Sequence, residues 1–274
     1  MEKKYIASWS GGKDSTFMVD ELLRRGEPLD EVVFCDTGWE FPEMYDYIEK
    51  CKAYWEDKYP DLKITLLNWK TEHTIPNYMK KKVTRGDNEG KVRGFPNPIN
   101  VGWCTARFKV DPTTKYWKEN YKGYEVFEYI GIAFDEPKRI PPNWENGHKL
   151  YPMVAWGISE PDVNPILKKR GLFNPLYNYF SRTGCWGCPK QGDKKLAVLK
   201  DKYPELWVKL EEMESFFDKD STASFIDAET GEENAKPYLF KSIGLEVINK
   251  KVDAINSNMS FEFDDDEPIG CFCK

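Results

Sequence analysis

Lys4-Tyr5-Ile6-Ala7-Ser8-Trp9-Ser10-Gly11-Gly12-Lys13-Asp14-Ser15 is the stretch on which the reading of this chain turns. A short apolar run breaks into Ser-Gly-Gly, and a helical pattern starts at once. Phe17, Met18, Leu22 and Leu23 recur at helical spacing, and Gly26 after Arg24-Arg25 supplies a C-terminal stop. The order is therefore buried strand, tight turn, and helix with its N-terminus facing the turn. Two glycines remove side chains where a ligand must approach the backbone, and they permit positive φ. The first amides of a helix have no internal partner and its dipole favours an anion there. Lys13 adds a full charge, Ser10 and Ser15 add hydroxyls, and the natural guest is a phosphate or pyrophosphate.

The same alternation continues outward. Glu31-Val32-Val33-Phe34-Cys35 reads as a second buried strand ending in Asp36-Thr37-Gly38, and Pro42 opens a helix that runs to about Tyr59, before Pro60. Leu62 to Trp69 is a third strand. This alternation predicts a mainly parallel sheet with helices on both faces, and ligands in such sheets sit beyond the carboxyl ends of the strands. Ser10 to Ser15 and Asp36-Thr37-Gly38 both fall there. Residues from about 83 to 103 hold Gly86, Gly90, Gly94, Pro96, Pro98 and Gly102, too many for regular structure, and a loop of that length is functional or disordered. Trp103-Cys104-Thr105, Arg107 and Lys109 follow, then a helix over Thr113 to Tyr121 and a strand over Tyr124 to Ile132. That strand runs into Ala133-Phe134-Asp135-Glu136-Pro137-Lys138-Arg139. Ser159 caps a helix ending at Gly171, helices are expected at about Lys194 to Asp201 and Pro204 to Asp218, and the remainder is weakly patterned.

With 274 residues, 40% of them hydrophobic, the chain can bury the core of one α/β domain with extensions, and no second full-sized domain is required. It has no membrane-spanning apolar run, and Met1-Glu2-Lys3-Lys4 leads straight into the first strand, so a signal peptide is not expected, no membrane partner is read, and the cytoplasm is the default compartment. Seven cysteines in that setting argue for metal or redox chemistry more than for disulfides. Glu262, Asp264, Asp265, Asp266 and Glu267 carry five charges of the net −6, which leaves the body near neutral and gives non-specific DNA binding no support. Lys80, Lys81, Lys82, Arg85, Lys91 and Arg93 form a local exception, read as a solvated loop or as a lid over a polyanionic substrate.

Ser-Gly-Gly-Lys-Asp-Ser lacks the four-residue spacing of a Walker loop and resembles the pyrophosphate loop of the ATP pyrophosphatase (adenine nucleotide α-hydrolase) superfamily, whose members cleave ATP between the α and β phosphates. Further segments follow in order: Cys35-Asp36-Thr37-Gly38 with Phe41-Pro42-Glu43; Cys104 with Lys109 and Pro112; Gly131-Ile132 with Asp135, Glu136 and Arg139; and Tyr177 with Gly184, Cys185 and Cys188. Together they resemble the phosphoadenosine phosphosulfate (PAPS) reductase family within that superfamily, from residue 4 to about 190. The resemblance implies a Rossmann-like five-stranded sheet in order 3-2-1-4-5 and a nucleotide-binding domain over residues 1–190. A helical extension over 191–260 and an acidic, cysteine-bearing tail over 261–274 complete the chain. It also implies an adenine nucleotide, ATP or a sulfonucleotide, with Mg2+. The nucleotide-binding set is Ser8, Ser10, Gly11, Gly12, Lys13, Asp14, Ser15, Asp36, Thr37, Gly38, Arg107, Gly131 and Asp135. Asp36 would lie near the ribose or adenine edge, while Lys109, Arg107 and Arg139 would face phosphate or sulfate oxygens. Lys13, Asp14, Lys109, Arg139 and Cys273 are the catalytic candidates.

Two departures direct the choice of branch. Sulfonucleotide reductases have a degenerate loop without the lysine, whereas Lys13 is in place, and an arginine common in the fourth-strand motif is replaced by Ala133. The sequence looks more like the ATP-using branch, in which adenylation makes an oxygen a good leaving group and a sulfur nucleophile displaces AMP. A nucleic acid and a sulfur-donor protein are then the expected partners, and a homodimer is allowed. A reductase releasing sulfite and a non-catalytic nucleotide-sensing module stay open as alternatives.

Cys104 and the Cys185-Trp186-Gly187-Cys188 pair supply three thiolates, and a fourth ligand is missing where the family would place it. A [4Fe–4S] cluster with an open iron, a zinc or iron–sulfur site closed by Cys271 or Cys273, and plain reduced thiols all remain. Ligand identity does not separate zinc from iron–sulfur. Cys35 and Cys51 sit in strand and helix patterns and read as core. His73 and His148 are isolated and read as structural.

Overall fold

The computed structural model describes residues 1–86, 89–96, 103–142, 147–217, 225–226, 233–234 and 244–258. Five parallel strands form one sheet: β1 (Lys3–Trp9), β2 (Glu31–Cys35), β3 (Lys63–Leu67), β4 (Glu125–Ile130) and β5 (Lys149–Leu150), in the order β3-β2-β1-β4-β5. Ala7 stands opposite Val32 on one side and Tyr129 on the other. The chain steps outward from β1 to β2 and β3, then returns to the far side of β1 for β4. In open α/β sheets such a reversal, at the carboxyl ends of the strands, is the usual ligand position.

Contacts divide the chain into two compact units. The first comprises residues 1–36, 40–70 and 109–184 and holds the whole sheet. Its two longest helices each bury one apolar stripe. Helix α1 (Lys13–Arg25) buries Phe17, Met18, Val19 and Leu22, and α2 (Pro42–Lys58) buries Met44, Ile48, Cys51 and Trp55. Trp9 is held edge-on by both Phe34 and Trp55, at ring distances of 5.8 and 5.0 Å, and its indole N–H donates to Thr16 Oγ1 at 2.9 Å. Cys35 and Cys51 belong to this packed region, and burial pushes the Cys51 thiol up to about 12, where it is inert. At the amino end of β2, the fully buried Glu31 accepts from Thr65, from Tyr116 Oη at 2.8 Å and from Tyr121. Lys63 Nζ lies 3.2 Å from the same carboxylate, so the charge is compensated.

The second unit comprises residues 37–39, 71–108 and 185–274. It holds α3 (Ile75–Met79) and α4 (Trp103–Thr105), and beyond them α8 (Asp193–Lys202), α9 (Pro204–Phe217) and α10 (Leu245–Asn258). Helix α8 packs on both α9 and α10. A two-stranded pair, β6 (Phe225–Ile226) and β7 (Glu233–Asn234), runs antiparallel. Between α4 and α5 (Asp111–Asn120) lies a π-helical turn, Ala106–Val110. The first unit also contains α6 (Pro152–Ala155) and α7 (Glu160–Arg170).

Three local features have no counterpart in the sequence pattern. The stretch from about 83 to 103 carries an antiparallel bridge between Lys82 and Val92, because Gly86 and Gly90 take φ of +84° and +85° and turn the chain back on itself. Strand β5 is two residues long, too short to show a period. Helix α10 lies where the pattern is weak, its buried side being only Leu245, Ile248 and Val252.

Candidate functional site

The Ser10-Gly11-Gly12 turn sits at the carboxyl end of β1, and its shape explains both glycines. Gly11 has φ +74°, and a Cβ there would lie 2.6 Å from Met44 Sδ and 3.0 Å from Ile48 Cδ1. Asn174, fully buried, fixes this residue by donating from Nδ2 to the Gly11 carbonyl at 3.0 Å, while its Oδ1 accepts from Leu176 N–H at the same distance. Gly12 is the N-cap of α1 and provides no side-chain cap. Ser10 Oγ and Ser15 Oγ lie 3.0 Å apart, and Ser15 Oγ donates to the Gly12 carbonyl at 3.1 Å. Gly131, at the end of β4, permits a close approach: a Cβ there would stand 2.8 Å from both Cα and N of Ser15. Its place in the sequence motif thus has a packing cause, the contact between β4 and the first turn of α1.

The turn was expected to offer bare amides and one free lysine. In the structure Tyr177 Oη accepts from the Lys13 N–H at 2.9 Å and lies 3.3 Å from Thr183 Oγ1. Burial, then the charge of Asp14, pushes the Tyr177 phenol up to about 12, so its proton stays on at neutral pH. The Lys13 side chain is 11% exposed, and its ammonium pairs with Glu160 Oε1 at 2.5 Å. Asp14 Oδ1 is buried with no hydrogen-bond partner among the described residues. Burial raises the Asp14 carboxyl to about 7; Glu160 and Glu136 add to the rise, while Lys13 and Arg139 oppose it. Arg139 pairs with Glu136 in the same short turn, and Arg182 reaches the other oxygen of Glu136 at 3.0 Å. A charged cluster of Lys13, Asp14, Glu136, Arg139, Glu160 and Arg182 therefore surrounds the head of α1.

Other predicted residues have their own partners. Ser8 Oγ donates to Glu128 Oε1 on β4 at 2.5 Å. Asp36 is buried; it accepts from Tyr45 Oη at 3.1 Å and from the Lys70 N–H at 3.0 Å, so it holds the chain leaving β3. Asp135 Oδ1 accepts from the Glu160 N–H at 2.9 Å and caps α7, alongside the Ser159–Asp162 capping box. The Lys109 carbonyl accepts from Thr113 Oγ1 at 2.7 Å, and Cys35 Sγ lies 3.1 Å from the same hydroxyl. Glu160 and Asn174 are the residues sequence reasoning missed. Ser159 announces where α7 starts, but no local pattern says that this start falls on Lys13.

In the second unit, Thr37, Gly38, Arg107 and three of the predicted metal ligands are found. The Cys185–Cys188 turn is tight: the Cys188 N–H donates to the Cys185 carbonyl at 3.1 Å, and the buried Gln191 donates from Nε2 to the carbonyls of Cys185 and Trp186, each at 2.8 Å. Thr37 Oγ1 lies 3.4 Å from Cys185 Sγ. Trp39 packs edge-on to Trp186 at 5.7 Å and lies under Gly187, where a Cβ would come 2.2 Å from its ring. Gly38 takes φ +64° against Thr74. No disulfide joins the described cysteines. Among the described residues no three His, Cys, Asp or Glu side chains gather as a metal ion requires. Cys271 and Cys273 lie outside the described residues, as does the acidic tail. His73 stacks on Phe108 at 4.6 Å and His148 pairs with Glu125 at 3.7 Å, both packing roles. Among the described residues no helix is long and apolar enough to cross a membrane.

A sequence model of the phosphoadenosine phosphosulfate reductase domain matches residues 4–191. An uncharacterized protein of Methanocaldococcus jannaschii is 28% identical over 223 residues, 77% of this chain and 41% of that protein. A second from the same organism is 29% identical, and this chain again spans less than half of it, 45%. Adenosine 5′-phosphosulfate reductase of Staphylococcus haemolyticus is 26% identical over 192 residues, 67% of this chain and 69% of that enzyme. Among solved structures, the U34-tRNA thiolase NcsA from Methanococcus maripaludis with its [4Fe–4S] cluster aligns with a TM-score of 0.42 and 15% identity, over 88% of this chain and 82% of that chain.

Proposed function

We propose a function on one premise: the chain belongs to the phosphoadenosine phosphosulfate reductase domain family, matched over residues 4–191. It binds an adenine nucleotide with the phosphates over the turn between β1 and α1, and it cleaves ATP between the α and β phosphates to adenylate an acceptor for sulfur transfer. The observation that carries this reading is Lys13, buried at the head of a helix whose N-cap, Gly12, has no side chain, at the carboxyl end of the strand where the sheet order reverses. A lysine at the positive end of a helix dipole suits a pyrophosphate that must leave with its negative charge neutralised.

In the step itself, an acceptor oxygen attacks the α-phosphorus, the bond to the bridging oxygen breaks, and pyrophosphate departs with that electron pair. A sulfur nucleophile then displaces AMP from the adenylated acceptor. Lys13 stabilises the charge that builds on the leaving pyrophosphate, and Arg139 and Lys109 supply further positive charge once turned to the phosphates. Asp14, with a carboxyl near 7, is suited to exchange a proton close to neutral pH. The acceptor class is a nucleic acid or a protein-borne group, and the sulfur comes from a separate donor.

With α-labelled ATP, Mg2+ and candidate acceptors, the products expected are AMP and pyrophosphate, and Lys13→Ala should lose at least about 100-fold in rate, the scale of removing one preorganised charge contact. Formation of ADP would contradict the reading. A second reading, reduction of a sulfonucleotide, is favoured by the adenosine 5′-phosphosulfate reductase relative. Sulfite release with thioredoxin, lost on Cys273→Ser or Cys271→Ser, would select it instead.

A further inference from the structure

Helices α1 and α7 lie side by side and run in the same direction. Arg170 near the end of α7 reaches Asp20 and Glu21 on α1 at 2.8 and 2.7 Å, and Glu160 at its start reaches Lys13. Two helix N-termini and one buried ammonium therefore meet at one place, and each favours a negative group. The group that fills it is the carboxylate of Glu160, held by the Lys13 ammonium at 2.5 Å while its own N–H is satisfied by Asp135. Asp14 follows Lys13 in the chain; its Oδ1 is buried with no hydrogen-bond partner among the described residues, and the charge of Glu160 opposes its ionisation. The pair is well made for Lys13 and poorly made for Asp14.

We propose that Glu160 is a resident competitor for the phosphate seat: it pairs with Lys13 in the nucleotide-free protein and must be displaced before a phosphate can take its place. This rests on the reading of the turn as a nucleotide site and adds to it a threshold. Every anion that uses Lys13 meets the same displacement penalty. A small anion such as inorganic phosphate or sulfate has few other contacts with which to offset it. A pyrophosphate group is longer and also reaches the positive end of the α1 dipole, and so it binds more tightly than the small anions do. Glu160 is suited to leave, because its side chain is 29% exposed and can turn into water, whereas Lys13 cannot.

The test is titration calorimetry on the full chain with pyrophosphate, inorganic phosphate and sulfate as separate probes. Glu160→Gln keeps the shape and removes the charge, and it should bind each probe about tenfold more tightly than the natural protein, a difference of about 1.4 kcal/mol. Glu160→Asp keeps the carboxylate that a helix start favours but withdraws it from Lys13, and it should fall between the two. Unchanged or weaker affinity in both variants would overturn the proposal; unchanged affinity with a lowered Tm would mark Glu160 as structural only. If the natural protein and both variants bind no pyrophosphate, the nucleotide reading falls as well. Binding by the natural protein without a gain in the variants sinks the competitor role alone.

Discussion

At the residue scale, Asp14 is the group most out of balance. Its carboxyl titrates near 7 in the folded chain and near 3.8 when exposed, chiefly because it is buried. A raised carboxyl pKa means that the folded state holds the proton more tightly. The contribution of Asp14 to stability is thus fully present below about pH 3.8, is lost as pH rises, and is gone above about pH 7. Asp14→Asn carries no such loss. In thermal melts the variant should gain on the natural protein steadily from pH 5 to pH 7 and hold a constant lead above that. A lead that is the same at pH 5 and pH 8 would contradict the assignment. The same imbalance fits the proposal for Glu160, since removing that charge relieves Asp14 and frees Lys13 together.

At the element scale, the site depends on how α7 is fastened to α1. Arg170 binds the buried Asp20, which also accepts from Arg24 Nε at 2.7 Å and from the Trp55 indole N–H at 3.4 Å. Arg170→Ala leaves Asp20 its other partners but removes one charged contact and frees the end of the helix. The expected cost is about 1–3 kcal/mol in denaturant unfolding. A loss below about 0.5 kcal/mol would show that the contact is no better than an exposed ion pair. Much of this scale was legible in the sequence. The Ser-Gly-Gly break, the helical spacing of Phe17, Met18 and Leu22, and Gly26 fix β1, α1 and the turn between them, because these are local signals. The π-helical turn Ala106–Val110, the two-residue β5 and the bridge from Lys82 to Val92 were not legible. Each is set by neighbours far away in sequence, or is too short to carry a period.

At the scale of the whole molecule, the parallel sheet follows from alternation and its order β3-β2-β1-β4-β5 from the resemblance, and the structure has both. The candidate site was legible in which residues it uses and less so in what they touch. Lys13, Gly11, Gly12 and Gly131 come together at the turn between β1 and α1. Ser8, Asp36 and Asp135, expected on the nucleotide, hold Glu128, the end of β3 and the start of α7. Lys70, just beyond β3, is 34 residues from Asp36, Glu128 is 120 from Ser8 and Glu160 is 25 from Asp135, so no local pattern announces these contacts. Cys104, Cys185 and Cys188 all belong to the second compact unit, with Cys185 and Cys188 in a turn built by Gln191 and Trp39.

The function proposed for this chain stands or falls with the grip of the β1–α1 turn on the phosphates of an adenine nucleotide through Lys13. Calorimetric titration of ATP into the natural protein and into Lys13→Ala reads that grip. Saturable binding to the natural protein is expected, with a loss of at least about tenfold in the variant, one desolvated charge pair being worth about 1.5–3 kcal/mol. No affinity for ATP in the natural protein, or equal affinity in the two, would contradict it.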